Sequence, residues 1–381
     1  MEYELGELLP YEQPADYIVE STDYDDSYKT PVLTAGKSFI IGYTNETKGI
    51  YTKLPVIIFD DFTTSSQYVD FPFKVKSTAM KILSVNSEIA DLKYLFYKMQ
   101  TIQFDSANHK RYWISEYSKI KLDLPTLAEQ QRIVNRVETM FAKLDHAQKK
   151  AQSVLDSFET RKAAILHKAF TGELTANWRK ENEVGNESWE EKTLDNCGIW
   201  ERGRSKHRPR NAPELFGGKY PFIQTDDIAN TDIYINEHKQ TLSEFGFQQS
   251  RLFPKGTLCI TIAANIGKVA ILTYDCCFPD SVVGFTPFEN VDSKFMYFKI
   301  NDIQKDLEAM ASATAQKNLN LKLLASVLVR IPTLPEQQEI VRILDTVLEK
   351  ETRAKEASQT VLDQIALLKK SILARAFRGE L

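Results

Sequence analysis

One stretch of this chain occurs twice. Leu124-Pro125-Thr126-Leu127-Ala128-Glu129-Gln130-Gln131-Arg132-Ile133-Val134 returns 207 residues later as Ile331-Pro332-Thr333-Leu334-Pro335-Glu336-Gln337-Gln338-Glu339-Ile340-Val341. At the same offset, Ile165-Leu166-His167-Lys168-Ala169-Phe170-Thr171-Gly172-Glu173-Leu174 returns as Ile372-Leu373-Ala374-Arg375-Ala376-Phe377-Arg378-Gly379-Glu380-Leu381. No insertion is needed between these ends. About 23 of about 51 aligned positions are identical, so the segment has been duplicated.

In the first copy Ile133, Val137, Met140, Leu144, Ala147, Ala151, Val154 and Phe158 alternate four and three residues apart, and Ile165 and Ala169 continue the line. The second copy offers Ile340, Leu344, Val347, Ala354, Val361, Ile365, Leu368, Ile372 and Ala376. This is the spacing of a coiled-coil seam. Each copy begins after a proline turn and stops at a glycine, which predicts one helix of about 40 residues, roughly 60 Å long, per copy. The two helices are expected to pack together. If they run antiparallel with facing numbers summing to about 512, Arg161 meets Glu351 and Leu144 meets Leu368; a lone ionic pair in such a seam fixes register at some expense of stability. The alternative is that both charged side chains lean out into solvent.

The copies divide the chain into a first globular segment, 1–124, a helical region, 125–174, a polar linker, 175–188, a second globular segment, 189–331, and a second helical region, 332–381. The globular segments differ in sequence, so the repeated parts do one job twice while the unlike parts do different jobs. Both read as mixed helix and strand, with Val56-Ile57-Ile58-Phe59 and Leu258-Cys259-Ile260-Thr261-Ile262 as strands between Gly, Pro and Asp turns. The expected class is α+β: two mixed α/β domains separated by two long antiparallel coiled-coil helices, with an internal pseudo-two-fold.

Each globular segment carries clusters suited to nucleic acid. Arg202, Arg204, Lys206, Arg208 and Arg210, with His207, fall within nine residues of a Gly- and Pro-bearing stretch. Such a loop supplies phosphate contacts and arginine-to-guanine readout, or is simply a solvated basic loop. In the first segment His109, Lys110, Arg111 and Tyr112 interleave cations with aromatics, as do Lys37 and Tyr43. Thr63, Thr64, Ser65 and Gln67, then Gln224 and Thr225, then Gln316 and Lys317, are further candidates in polar stretches, since amide side chains can grip adenine in two places. A structural role for these polar stretches is an equal alternative.

Composition limits the rest. A formal net charge of −4 argues against nucleic-acid binding over the whole surface and leaves room for local basic patches. No apolar run approaches the roughly 18 residues that cross a bilayer, and the chain opens on Glu2, Glu4 and Glu7, so a cytoplasmic protein without a membrane partner is expected. Cys197, Cys259, Cys276 and Cys277 form no C-x-x-C pair, which points to buried reduced thiols and to no metal site. Gly36-Lys37-Ser38 lacks the leading glycine of a phosphate loop, where Pro31 stands, and no Asn-Pro-Pro-aromatic element of amino-methyltransferases occurs. Asp60-Asp61 and Asp226-Asp227 suit turns and caps better than a metal. No catalytic residue is expected.

In these residues the chain resembles the specificity subunit of Type I restriction-modification enzymes, over essentially its whole length. The twin Pro-Thr-Leu-x-Glu-Gln-Gln-x-Ile-Val openings at 125 and 332 and the twin Ala-Phe-x-Gly-Glu-Leu closings at 169 and 376 are the most specific features. Tyr220 to Ile228, the Ile266-Gly267-Lys268-Val269-Ala270 turn and Gln316 to Asn320 resemble that family's recognition domains, as do Thr34 to Lys37, Ile58 to Phe62 and His109 to Trp113. The Lys268 turn thereby joins the candidate DNA contacts. The resemblance implies that each globular domain reads one half of a bipartite site in double-stranded DNA, and that the helices set the spacer and dock two methyltransferase subunits. Translocase/nuclease subunits would join through these, and S-adenosylmethionine, ATP and Mg2+ would belong to the partners. A coiled-coil scaffold binding only proteins is the competing reading. The two basic and aromatic clusters, one per domain, favour DNA.

Overall fold

The protein is described by a computed structural model covering residues 2–36, 38–104, 111–263, 265–312 and 319–381. It forms two compact units, residues 1–153 with 358–381, and residues 154–357. Each unit holds one globular segment together with part of both repeat copies.

The second copy is a single helix, Leu334–Ala376, of 43 residues, about 65 Å at the usual rise. The first copy departs from expectation, because it forms Leu127–Asp156 and Phe158–Phe170 with an interruption at Ser157. Competition for one carbonyl explains this. The Val154 carbonyl accepts from the Ser157 hydroxyl at 3.4 Å and from the Arg161 guanidinium at 3.2 Å, and side chains that bond back into the ladder bend a helix. Both copies stop where their glycines predict. Gly172 and Gly379 take φ of +82° and +77°, a left-handed cap that a side chain would strain.

All the predicted seam positions of the first copy are buried or half-buried. In the second copy Ala354, Val361 and Leu368 are instead exposed, Leu368 to 48%. Leu368 therefore does not seal against Leu144. The strict four-three line from Ile340 runs through Leu344, Val347, Glu351, Ala354, Ser358, Val361, Ile365 and Leu368. Beyond Ser358 the covered positions are instead Leu362, Ile365 and Lys369, so Leu362 and Lys369, each one residue past Val361 and Leu368, take the inner face. The helices do run antiparallel within each unit. In the second unit Arg161 Nε donates to Glu351 Oε2 at 2.8 Å, and the Lys355 ammonium lies 4.4 Å from the centre of the Phe158 ring. In the first, Lys369 Nζ donates to Asp145 Oδ1 at 2.6 Å and Arg132 Nη2 to the Leu381 carbonyl at 3.0 Å. The Arg161 and Glu351 side chains keep 34% and 24% exposure. A double-mutant cycle in urea melts should therefore give a coupling of about 0.5–1 kcal/mol, and a value above about 2 kcal/mol would contradict a half-wet pair.

In the first unit the strands Tyr11–Glu12, Met80–Leu83, Val56–Asp60 and Ser66–Val69 form an antiparallel sheet in that order. Val56 to Phe59 read as an unbroken apolar run because both faces of that strand are covered. Ile57 and Phe59 join the core shared with Trp113, Ile133 and Val137, while Val56 and Ile58 join the one built on Phe73 and Val75. The second unit repeats the logic in a five-stranded sheet ordered Gly198–Arg202, Val282–Pro287, Leu258–Thr261, Val269–Leu272, Tyr234–Ile235. There Leu258 and Ile260 face the core that includes Ile340 and Leu344, and Cys259 faces Phe253 and Phe278.

The 175–188 stretch is not a free polar linker. It contains the helix Ala176–Glu181, and Thr175 and Arg179, one turn apart, close on Glu336 of the second long helix. Glu336 Oε1 accepts from Arg179 Nη1 at 2.6 Å, Thr175 Oγ1 at 2.7 Å and Trp189 Nε1 at 3.1 Å, with the carboxylate fully buried.

All four cysteines are buried. Burial pushes the Cys197 and Cys277 thiols up to about 11 and Cys276 to about 12, and holds Cys259 well above its ordinary value. Because the thiolate is the reactive form, a disulfide-exchange reagent at pH 8 should find no fast-reacting thiol in the native chain and four after denaturation. Even one thiol reacting at the rate of a free cysteine would contradict this burial.

Candidate nucleic-acid interface

Strand register decides which candidates meet. In the second unit Arg202 ends its strand opposite Val283, Thr261 ends its strand opposite Val282, and Val269 begins its strand opposite Ile260. The loop after Arg202, the 279–281 loop and the 262–268 turn thus share one end of the sheet. Arg202, Arg204, Lys206, Arg208, Arg210 and Lys268 are carried there, and the Leu319 amide bonds the Ile262 carbonyl at 3.0 Å. At the opposite end Gly198 pairs with Pro287, from which the chain runs to Asp292 and the helices.

Asp280 organises the basic loop. Its carbonyl accepts from Arg202 Nε at 2.6 Å, and its carboxylate takes Arg210 at 2.8 Å and Arg208 at 4.0 Å. Amide bonds from Gly203 to the Val282 carbonyl, 2.9 Å, and from Arg204 to the Phe278 carbonyl, 3.1 Å, lay the loop against the sheet. Gly203 is required here because a Cβ would collide with the Pro279 carbonyl. Lys206 and Lys268 are exposed and, among the described residues, pair with no carboxylate. The Arg204 Nε is a buried donor without an acceptor among those residues. The loop therefore presents uncompensated positive charge on a fixed backbone.

Gln224 and Thr225 do not lie in a loop but open the helix Thr225–Ala229. The Gln224 amide donates to Gln240 Oε1 at 2.7 Å and its backbone N–H to Asp227 Oδ2 at 2.9 Å. Asp227 is thus a cap, as expected of that carboxylate pair.

In the first unit the same rule applies around Asp60 and Asp61. Asp60 Oδ1 accepts the amides of Phe62 and Thr63, both at 2.9 Å, closing the turn that holds Thr63, Thr64 and Ser65; Thr64 sits at φ +57°. Asp61 ties a distant segment to this turn. Its carbonyl accepts the Tyr112 amide at 2.8 Å and its Oδ1 the Trp113 amide at 2.7 Å, so exposed Arg111 stands beside Thr63 to Ser65. The turn lies at the Asp60–Met80 end of its sheet, and the strand Met80–Leu83 leaves from the other end toward the helices.

One expectation is overturned, and two candidates sit elsewhere than their surroundings in sequence suggest. Tyr112 is 1% exposed with its ring edge-on to Phe104 at 5.2 Å, so it is core and unavailable to a ligand. Gln67 is half-buried in the strand Ser66–Val69, not in a loop. Tyr43 is half-buried in Ile40–Thr44, a strand of a separate three-stranded sheet. Lys37, His109, Lys110, Gln316 and Lys317 lie outside the described residues. Among the described residues no cluster of three or more His, Cys, Asp or Glu is gathered as for a metal.

Sequence reasoning missed the residues that join each domain to its helix. Gln130 is fully buried; its Oε1 accepts the Asp91 amide at 2.9 Å, and its Nε2 donates to the carbonyls of Pro125 at 2.9 Å and Ile89 at 3.3 Å. Gln337 does the same with Asp292 at 2.8 Å, Pro332 at 2.8 Å and Asn290 at 3.2 Å. Asp91 and Asp292 each cap a helix, Leu92–Met99 and Ser293–Asp302. At the second residue of each of these helices, Lys93 meets Glu138 at 2.5 Å and Lys294 meets Asp345 at 2.8 Å. Asp91-Leu92-Lys93-Tyr94 and Asp292-Ser293-Lys294-Phe295 are related, but at an offset of 201, not 207. That shift hides the kinship when the chain is compared at the offset of the helices.

Two unlike mixed domains, each fastened by the same joint to its own part of the duplicated helices, with cations and polar turns at the far end of each sheet, form a protein of the two-domain recognition class. The model of the Type I restriction modification DNA specificity domain matches residues 1–155 and 186–363. The specificity subunit of the Escherichia coli Type I restriction enzyme EcoR124I/EcoR124II is 35% identical over 373 residues, 90% of this chain and 85% of that protein. The fold is similar to that of the HsdS subunit from Thermoanaerobacter tengcongensis, with a TM-score of 0.61 at 18% identity over 100% of this chain and 97% of that one. A chain from a structure of the type I R-M system, concerned with complex assembly and conformational transition, gives 0.70 at 17% identity over 100% and 98%. The chain belongs to the Type I restriction-modification DNA specificity family. It is a non-catalytic specificity subunit, working with DNA and with other subunits of such a system.

Proposed function

We propose that each unit reads one half of a bipartite site in double-stranded DNA, and that the paired helices set the gap between the halves. On this reading the helices also dock two methyltransferase subunits, through which translocase/nuclease subunits join. S-adenosylmethionine, ATP and Mg2+ belong to those partners, and the complex works in the cytoplasm. Among the described residues no helix is long and apolar enough to cross a membrane.

The observation that carries this reading is the placement of charge. In two domains unrelated around their loops, strand register collects the cations and polar turns at the sheet end away from the helices. Phosphate contacts need such unshared cations, and base readout needs short polar side chains on a rigid frame. Lys206, Arg204, Lys268 and Arg111 with the Thr63 to Ser65 turn are the leading contacts. Lys37, His109, Lys110, Gln316 and Lys317 keep their candidacy on sequence.

Purified chain, mixed with the methyltransferase subunit encoded beside it and S-adenosylmethionine, should methylate adenines in a random DNA library at one two-part motif with a fixed gap. Methylation without such a motif, or failure to form a complex, would favour the protein-only scaffold.

A further inference from the structure

The two glutamines of the duplicated Glu-Gln-Gln turn do more than fill space. From the geometry of the joints we infer that Gln130 and Gln337 are positioning residues, each locking the orientation of its recognition domain on the helix and thereby the phase at which that domain meets DNA. This rests on the bipartite reading above for its DNA consequence, though not for the joint itself.

Three features support it. Each side-chain amide makes three hydrogen bonds, one to the first amide of the docking helix and two to carbonyls on either side of the joint. Loss of the amide orphans three buried backbone groups at once. Second, the joint is the same in both units although the loops at the far ends share nothing. The neighbouring glutamates show that such identity is not automatic: Glu336 is sealed by Arg179 and Thr175, while Glu129 pairs with Arg132 at the surface. Third, the joint and the basic loops occupy opposite ends of a sheet. A strand of five residues spans about 17 Å, so a rotation of about 10° at the joint moves the loops by about 3 Å, close to the ~3.4 Å between successive base pairs. A small looseness at Gln337 is therefore worth about one base pair at the DNA.

Because all four native cysteines are buried, cysteines placed at exposed Lys268 and Lys350 accept spin labels selectively and report the distance from loop to helix within the second unit. The native chain should give one narrow distance distribution. Gln337→Leu, and Gln337→Glu, which still accepts from Asp292 but cannot donate to Pro332 or Asn290, should each broaden it at least twofold. Gln338→Leu, at an exposed neighbour, should leave it narrow. If Gln337→Leu does not fold, Gln337→Glu decides, and an unbroadened distribution in a folded variant overturns the inference. In the methylation assay the same variants should keep both half-site sequences and methylate sites with a gap one base pair longer or shorter severalfold more than the native chain. An unchanged single gap, or altered half-site bases, overturns the positioning role. A native chain that selects no two-part motif would overturn the bipartite reading instead, with the spin labels still deciding the joint.

Discussion

Replacing Asp61 by alanine should destabilise the first unit by about 3–5 kcal/mol, the usual result of breaking a fully buried ion pair from one side. Asp61 and Lys81 are both 0% exposed, with Lys81 Nζ 3.1 Å from Asp61 Oδ2. Without the carboxylate the ammonium retains Gln13 Oε1 at 3.2 Å and the face of Tyr11 at 5.5 Å, too little to compensate a buried charge. The same side chain holds the Trp113 amide, so the substitution also leaves the 111–113 segment tied to residue 61 by the Tyr112 amide alone. Urea unfolding of the first unit's transition measures the loss, and Asp61→Leu with Lys81→Met should recover part of it by removing both charges. A loss below about 1 kcal/mol would mean that water reaches Lys81. In the assembled complex the variant should lose selection at one half-site while keeping the other.

Removing Lys206, Arg208, Arg210 and Lys268 together, as alanines, should weaken DNA binding by the complex on the order of a hundredfold or more near physiological salt. Each phosphate that is no longer neutralised lowers the slope of log affinity against log salt by about 0.9, so a decrease approaching about 3–4 is expected. Asp280 already shares Arg208 and Arg210, so Lys206→Ala and Lys268→Ala alone should account for more than half of the change. On the bipartite reading proposed above, the other half-site should be read as before, since that reading assigns it to the other unit. An unchanged salt slope would place the DNA on a different face.

How far each feature was legible follows from the range of the forces behind it. The duplicated helices and their glycine ends could be read from the chain, because heptad spacing and helix caps are set by residues within a few turns. The Arg161–Glu351 pair was only one of two alternatives there, and the fold selected it. The break at Ser157 escaped because it depends on which of several donors wins the Val154 carbonyl. The outward turn of Leu368 escaped because the strict four-three line runs through it, and only packing shifts the covered face by one residue after Ser358, to Leu362 and Lys369. Basic residues in sequence marked the 202–210 loop correctly as a charge cluster. Asp280, some seventy residues away and placed by the fold, decides which of those charges remain unshared.

The chain's own pattern therefore established the architecture and the family, since self-similarity and periodicity need no tertiary contact to be visible. The assembly of the sites belonged to the fold. Strand register brought Lys268 to the loop of Arg202, and a backbone bond to Asp61 set Arg111 beside a turn some fifty residues away while burying Tyr112. The joints at Gln130 and Gln337 were invisible for the same reason: their partners are backbone amides and carbonyls, which every residue carries and no sequence marks.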